Sequence, residues 1–355
     1  MGNIFARRAG KDNNLPAVMI GSHLDSQPTG GKYDGAYGVL AGLAVIEALN
    51  KHDITTACPI EIVSWTNEEG ARFAPAMIGS GVFTGVFSLE EAYNCEDKTG
   101  IRMGDALESI GFKGETKMGN RPYKAALEIH IEQGPVLEKA GVPIGIVTGV
   151  QGIRWYDLVL KGKEAHAGPT PMYLRSDPVK LATSILHQLY KMTDDYGPLA
   201  KLTIGYLDAT PGVKNTVPGQ LTVSIDMRNP MEGSLKAMDN DLKRIIRSES
   251  LNSRVETELQ EIWYSPPIAF DSQCIEAIEH AAIQLDIPSK KLVSGAGHDA
   301  AYVSKVAPTS MIFIPCKDGL SHNELESITK EDAIAGTNVL LHAAISLAGS
   351  SNSSN

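Results

Sequence analysis

Side chains that could bind a metal ion are concentrated in the glycine-rich stretch Gly21–Gly38. His23 offers an imidazole nitrogen, and Asp25, two residues later, could accept the other ring N–H and fix the tautomer. Asp34 lies among glycines, which leave its carboxylate uncrowded. Imidazoles and carboxylates suit zinc, manganese, cobalt or nickel. The stretch therefore predicts half of a site for divalent metal ions.

Two glutamates and two further histidines lie near the ends of other apolar segments: Glu68, Glu69, His130 and His322. Adjacent glutamates at the end of a strand point in different directions, so one can bind a metal ion while the other faces substrate. A solvated turn is the alternative interpretation for the glutamate pair. For His130, a satisfied core histidine is the alternative. Taken together, the four residues could complete the metal site.

The elements that must position these residues are predicted strands that alternate with helical patterns. The strands are Ala17–Ile20, Ile60–Trp65, Ala125–Ile131 and Ser310–Pro315. This alternation predicts an α/β fold with a large mixed sheet that carries the metal site, because ligands of such sheets bind at the carboxyl ends of strands. Three histidines and two carboxylates provide three ligands for each of two ions if Asp34 bridges them. One glutamate then remains as a base.

The middle of the chain, residues 152–264, is predicted to form a smaller domain inserted into the larger one. Its elements follow the order βαββαβ of ferredoxin-like domains: strand Tyr156–Leu160, helix Pro178–Lys191, strands Lys201–Leu207 and Gln220–Met227, helix Gly233–Ser248 and strand Val255–Trp263. The catalytic domain then comprises residues 1–151 and 265–348, and residues 349–355 are expected to form a disordered tail.

Three residues of the insert could contribute to a site. His166 lies in a turn bounded by prolines, Asn215 in a loop, and Arg228 at the end of a strand. A turn residue is the alternative interpretation for Asn215, and a surface ion pair is the alternative for Arg228.

Composition excludes several classes of protein. The 355 residues carry a net charge of −10, which argues against nucleic-acid binding, since phosphate recognition needs clustered basic residues. No apolar run approaches the roughly 18 residues of a membrane span, and the first residues lack the apolar core of a signal peptide. Four scattered cysteines suggest a reducing compartment. We therefore expect a cytoplasmic protein that binds neither membranes nor nucleic acid.

Motifs along nearly the whole chain carry a family resemblance. They are GSHLDSQPTGGKYDG, TNEEGARFAPAMIGSG, EIHIEQGP, GVQGIRW, AHAGPTPM, NTVPG, DMR, SGAGHD and PTSMIFIPCKDGLSHNE. In these motifs the chain resembles the hydantoinase/carbamoylase branch of the M20 metallopeptidase-like amidohydrolases. That branch includes N-carbamoyl-L-amino acid hydrolases, fungal-type β-ureidopropionases and allantoate amidohydrolases. His130 marks the branch, because relatives outside it usually place a carboxylate there.

The resemblance implies a role for each candidate metal ligand. One ion would be bound by His23, Asp34 and His130, and the other by Asp34, Glu69 and His322. Two divalent ions per subunit are thus expected, with zinc favoured over manganese, cobalt or nickel. Glu68 would be the base that activates water and later protonates the leaving nitrogen.

The resemblance also implies a homodimer and a substrate pocket. The insert would serve as lid and dimerisation domain. Its His166 would reach the active site of the other subunit and stabilise the oxyanion. The residues expected to contact a small ureido substrate are Gln133, Asn215, Arg228 and His298, with Arg228 binding the substrate carboxylate.

The expected reaction is hydrolysis of the ureido C–N bond of an N-carbamoyl amino acid to the amino acid, ammonia and carbon dioxide. Gln27 and Pro28 favour this substrate class over allantoate, which is the alternative. Relatives have a further segment before the one that matches Gly2–Arg7. Without it we expect exposed apolar surface and lower stability, and a catalytically impaired dimeric homologue is therefore a second alternative.

Overall fold

The structure is a computed structural model that describes residues 1–116 and 121–349. Except for Gly349, the predicted tail lies outside the described residues. The chain forms two compact units. The first comprises Met1–Val150 and the chain from Ala269 onward, and the second comprises Gln151–Ile268.

The strands in chain order are β1 (Ile4–Arg8), β2 (Ala17–His23), β3 (Ile60–Trp65), β4 (Tyr123–Ile131), β5 (Ile144–Val150), β6 (Gly152–Lys161), β7 (Ala165–His166), β8 (Lys201–Thr203), β9 (Leu207–Thr210), β10 (Thr216–Val217), β11 (Gln220–Asn229), β12 (Glu256–Ser265), β13 (Ile268–Ala269), β14 (Ser289–Ser294) and β15 (Thr309–Ile314).

The α-helices in chain order are α1 (Ala36–Lys51), α2 (Ile78–Phe83), α3 (Leu89–Asn94), α4 (Met103–Ser109), α5 (Val136–Ala140), α6 (Pro178–Asp195), α7 (Glu232–Ser250), α8 (Ser272–Gln284), α9 (Asp299–Val303) and α10 (Lys330–Ala348). Among the described residues, no helix has both the length and the apolar character that a membrane crossing requires.

The first unit is built on an eight-stranded mixed sheet, in the order β1-β3-β2-β4-β15-β5-β13 with β14 paired to β5. β2, β3, β4 and β15 run parallel to one another, whereas β1 and β5 are antiparallel to their neighbours β3 and β15. β2, β3 and β15 are buried along their whole length, as expected for central strands covered on both faces. The predicted α/β class with a large mixed sheet is confirmed.

Helices α1, α8 and α10 cover one face of this sheet. Their fully buried side chains include Val45 and Leu49 of α1, Ile278 of α8, and Val339 and Leu340 of α10. Burying an aliphatic side chain of this size stabilises the fold by about 1.5–3 kcal/mol. This packing holds the strand ends that carry the candidate ligands in fixed positions.

The second unit contains a five-stranded antiparallel sheet, in the order β12-β6-β11-β8 with β9 also paired to β11. α6 and α7 pack on one face, over inward-facing residues such as Leu158 and Val223. The predicted strand Lys201–Leu207 is interrupted, because the N–H groups of Gly205 and Tyr206 donate to Oγ of Ser224 instead of continuing the ladder.

Candidate metal centre

The candidate ligands lie at the carboxyl edge of the parallel strands. His23 ends β2, and His130 is the last residue but one of β4. Glu69 follows β3, and His322 follows β15. Because parallel strands end at the same edge of a sheet, four segments distant in sequence meet there.

The donor atoms form two groups that share Asp34. In the first group, Oδ1 of Asp34 is 3.5 Å from Nε2 of His23 and 3.0 Å from Nε2 of His130. In the second, Oδ2 of Asp34 is 3.6 Å from Nε2 of His322, which is 3.1 Å from Oε2 of Glu69. Each oxygen of one carboxylate therefore faces a different group.

The spacing of these donors fits divalent metal ions. Two ligands about 2.0–2.1 Å from a tetrahedral zinc ion are roughly 3.3 Å apart, close to the separations observed here. Moreover, Oε1 of Glu69 is buried without a hydrogen-bond partner among the described residues. The mixture of imidazoles and carboxylates is typical of zinc, manganese, cobalt and nickel sites.

Backbone carbonyls set the tautomers of the two buried histidines. Nδ1 of His23 is 2.9 Å from the carbonyl oxygen of Asp25, and Nδ1 of His130 is 2.9 Å from that of Ile131. With the proton on Nδ1, Nε2 is the atom that faces Asp34 in both rings. Burial raises the pKa of Asp34, but its close contacts with the imidazoles of His130 and His23 outweigh burial and hold that pKa well below its usual range.

The role predicted for the carboxylate of Asp25 is wrong in one respect. It does not accept the ring proton of His23, since Oδ1 is 3.8 Å from Nδ1 and the carbonyl of Asp25 is much closer. Instead, Oδ1 accepts the backbone N–H of Glu68 and Oδ2 that of Glu69, both at 3.1 Å. The N–H groups of this turn thus engage both carboxylate oxygens. Asp25 supports the glutamate turn, in which Asn67 has a left-handed φ of 59°.

Glu68 belongs to neither group of donors but lies beside the first. Its side chain is nearly buried, and Oε2 is 3.6 Å from Nε2 of His23. Burial raises the pKa of Glu68 well above its usual value, and the charge of Asp299 adds to the effect while His23 opposes it. A glutamate with a raised pKa can accept a proton and return it near neutral pH. The arrangement can therefore support acid–base chemistry beside a metal ion.

Polar side chains around the two groups position the carboxylates. Gln133, predicted to bind substrate, donates from Nε2 to Oδ2 of Asp34 at 2.8 Å. Ser321 donates to the same oxygen at 2.5 Å, and Gln27 donates from Nε2 to Oε2 of Glu69 at 2.8 Å. Sequence reasoning missed these roles of Ser321 and Gln27. Their only signal was position in the sequence: Ser321 directly precedes His322, and Gln27 lies within the first motif.

His298 lies next to the first group but does not make a third site. It is buried, its ring centroid is 4.6 Å from that of His130, and Nε2 is 3.1 Å from Oγ of Ser294. Burial lowers the pKa of His298 well below its usual value, so the ring is neutral. Glu128, His130 and His298 are close enough to share an ion. However, Nδ1 of His130 bonds to a carbonyl and Nε2 faces Asp34, so His130 has no nitrogen left for another ion.

The second unit carries three of the candidate residues, His166, Asn215 and Arg228, and each has contacts inside that unit. β7 and β10 bring His166 opposite Thr216, next to Asn215, whose carbonyl accepts the N–H of Ala167. Arg228 forms an ion pair with Asp226, in which Nε and Nη2 of the guanidinium donate to the carboxylate at 2.7–3.1 Å. The ion pair considered as the alternative for Arg228 is thus present.

Comparison with known proteins agrees with the resemblance in the sequence motifs. Residues 19–346 match peptidase family M20/M25/M40. An N-carbamoyl-L-amino-acid amidohydrolase of Rhizobium meliloti is 42% identical over 98% of this chain and 84% of its own. An allantoate amidohydrolase of Bacillus subtilis is 34% identical over 96% and 83% of the respective chains.

Among solved structures, an amidase of the hydantoinase/carbamoylase family from Burkholderia multivorans is 48% identical to the chain. The two superpose with a TM-score of 0.95, over 98% of this chain and 84% of that one. The chain belongs to peptidase family M20/M25/M40 and, within it, to the hydantoinase/carbamoylase amidohydrolases.

Proposed function

We propose that the protein uses two divalent metal ions to hydrolyse the ureido C–N bond of N-carbamoyl-L-amino acids. The products are the amino acid and carbamate, which decays to ammonia and carbon dioxide. The observation that carries the proposal is the pair of donor groups sharing Asp34, with Glu68 buried beside them. The substrate class is inferred from the similarity to the N-carbamoyl-L-amino-acid amidohydrolase of Rhizobium meliloti.

In this proposal the metal ligands are His23, Asp34, Glu69, His130 and His322. Bound ions supply Lewis acidity, which polarises the ureido carbonyl and makes water more acidic. Glu68 takes the proton from the attacking water and delivers it to the leaving nitrogen, so the bond to carbon breaks without releasing an anionic amide. Zinc is the ion that best fits the imidazole and carboxylate donors, with manganese, cobalt and nickel as alternatives.

His166 is proposed to act in the active site of the partner subunit of a homodimer. Its side chain is exposed, and Nδ1 accepts the N–H of Gly168 at 3.1 Å. The ring proton of neutral His166 therefore lies on Nε2, which can donate to the developing oxyanion.

Substrate binding is assigned to Gln133, Asn215, Arg228 and His298. Asp226 orients the guanidinium of Arg228 through its Nε and Nη2 edge. A guanidinium suits the planar carboxylate that a carbamoyl amino acid offers. The four cysteines are free, which is consistent with a cytoplasmic location.

Allantoate is the second candidate substrate, favoured by the 34% identity to the allantoate amidohydrolase of Bacillus subtilis. The test is ammonia release by metal-free protein, before and after addition of zinc, manganese, cobalt or nickel. The substrates are N-carbamoyl-L-methionine, N-carbamoyl-β-alanine and allantoate. We expect metal-dependent release with the highest kcat/KM for a carbamoyl amino acid. Preference for allantoate would move the assignment to the alternative, and no metal-dependent release from any substrate would refute the proposal.

A further inference from the structure

Glu326 is a buried acidic residue that belongs to neither group of metal donors. It is 5% exposed and lies four residues after His322. Its Oε1 accepts the backbone N–H of Tyr33 at 2.8 Å and that of Asp34 at 3.1 Å. Tyr33 and Asp34 precede Glu326 by 293 and 292 positions in the sequence. Glu326 therefore ties the segment that carries His322 to the backbone of Asp34.

The backbone at Gly31 provides the space for this carboxylate. A Cβ atom at Gly31 would lie 2.0 Å from Cδ of Glu326 and 2.1 Å from its Oε1. Atoms that are not bonded cannot approach so closely, so a side chain at position 31 would displace the carboxylate. Glycine is therefore needed at position 31 because it has no side chain, and not because its backbone is flexible.

The segment from Ser321 to Glu326 holds Asp34 at two points. Ser321 donates to Oδ2 of the Asp34 side chain at 2.5 Å, while Glu326 accepts its backbone N–H. The second oxygen of Glu326, Oε2, has no hydrogen-bond partner among the described residues. Within the described part of the chain, the Glu326 carboxylate therefore hydrogen-bonds only to the backbone N–H groups of Tyr33 and Asp34.

We propose that Glu326 is a positioning residue, which fixes the backbone of Asp34 so that each of its carboxylate oxygens faces one of the two groups of metal donors. This inference rests on the proposed role of Asp34 as the ligand shared by both ions. Because Glu326 acts as a hydrogen-bond acceptor, a glutamine amide oxygen can replace it and an alanine cannot.

The test measures binding of Zn²⁺ and Co²⁺ to metal-free Glu326→Ala and Glu326→Gln, together with the Co²⁺ absorption spectrum and the melting temperature. Loss of residues that orient metal ligands typically lowers metal affinity about 10–100-fold. We expect a loss in this range and an altered Co²⁺ spectrum for Glu326→Ala, whereas Glu326→Gln stays close to the unchanged protein. Glu324→Ala is the matched control, since Glu324 is exposed in the same segment.

Gly31→Ala perturbs the same contact from the opposite side and should reproduce the loss seen in Glu326→Ala. Its control is Gly233→Ala, because a Cβ at Gly233 would meet nothing within 4 Å. If Glu326→Ala does not fold, Glu326→Gln and Gly31→Ala decide the question.

Two results would overturn the inference alone: normal binding of both ions by Glu326→Ala and Gly31→Ala, or a loss in Glu326→Gln as large as that in Glu326→Ala. Failure of the unchanged protein to bind two ions would instead overturn the proposed function, and this inference with it.

Discussion

Replacing Asp25 with asparagine tests which neighbour its carboxylate supports. The two carboxylate oxygens accept the backbone N–H groups of Glu68 and Glu69, each at 3.1 Å. His23, by contrast, bonds to the backbone carbonyl of Asp25, at 2.9 Å. The substitution therefore leaves the partner of His23 in place and weakens the support of the glutamate turn.

The magnitude follows from these two hydrogen bonds. A hydrogen bond to a charged group contributes about 1.5–3 kcal/mol. The Asp25 side chain is 32% exposed, so the lower end applies. The two bonds to Asp25 together contribute about 3 kcal/mol. Asparagine keeps one neutral hydrogen bond of about 1 kcal/mol through its amide oxygen and turns its NH₂ group toward the other backbone N–H. About 2 kcal/mol is therefore lost. At about 1.4 kcal/mol for each factor of ten, kcat/KM falls roughly 30-fold. Alanine removes both bonds, about 3 kcal/mol or somewhat more than 100-fold.

The assay combines ammonia release with stepwise metal titration. Titration of His130→Ala and His322→Ala first shows which binding step belongs to which group of donors. Asp25→Asn should then weaken the same step as His322→Ala, because Glu69 shares that group with His322. Asp12→Asn is the control, since Asp12 accepts the N–H of Asn14 in an exposed turn. Unchanged kcat/KM in Asp25→Asn, or weakening of the His130 step alone, would refute this reasoning.

Three further predictions concern the same centre. Glu68→Gln should bind both ions and lose about 10²–10⁴-fold in kcat, because only proton transfer is removed; loss of an ion would show that Glu68 and Glu69 exchange roles. Inactive His166→Ala and Glu68→Gln subunits should recover activity when mixed, because a mixed dimer contains one complete site. No recovery despite proven subunit exchange would exclude action of His166 in the partner's site. Gly35→Ala should weaken metal binding and lower the melting temperature, since a Cβ there would lie 2.3 Å from the ring of His23 at a φ of 65°. Gly42→Ala in α1, the helix that begins directly after Gly35, is the control, because the nearest atom to a Cβ there is 3.4 Å away. Equal effects of the two substitutions would contradict the prediction.

Local features of the fold could be predicted because they depend on neighbours in sequence. Helix α6 is an example, since it begins at Pro178 as predicted, and its cap Asp177 accepts the backbone N–H groups of Val179 and Lys180 a few residues away. β14 (Ser289–Ser294) was missed, because its polar sequence resembles a loop. It becomes a strand only through pairing with β5.

The sequence by itself determined the family, the α/β class and the residues whose donor atoms come together at one edge of the sheet. Motifs and strand ends suffice for this, because parallel strands must end together. Only the tertiary structure decided what the supporting residues do: Asp25 holds the glutamate turn, Gln27 holds Glu69, and Glu326 holds the backbone of Asp34. These hydrogen bonds depend on the direction of each side chain across distant segments, which spacing along the chain does not specify.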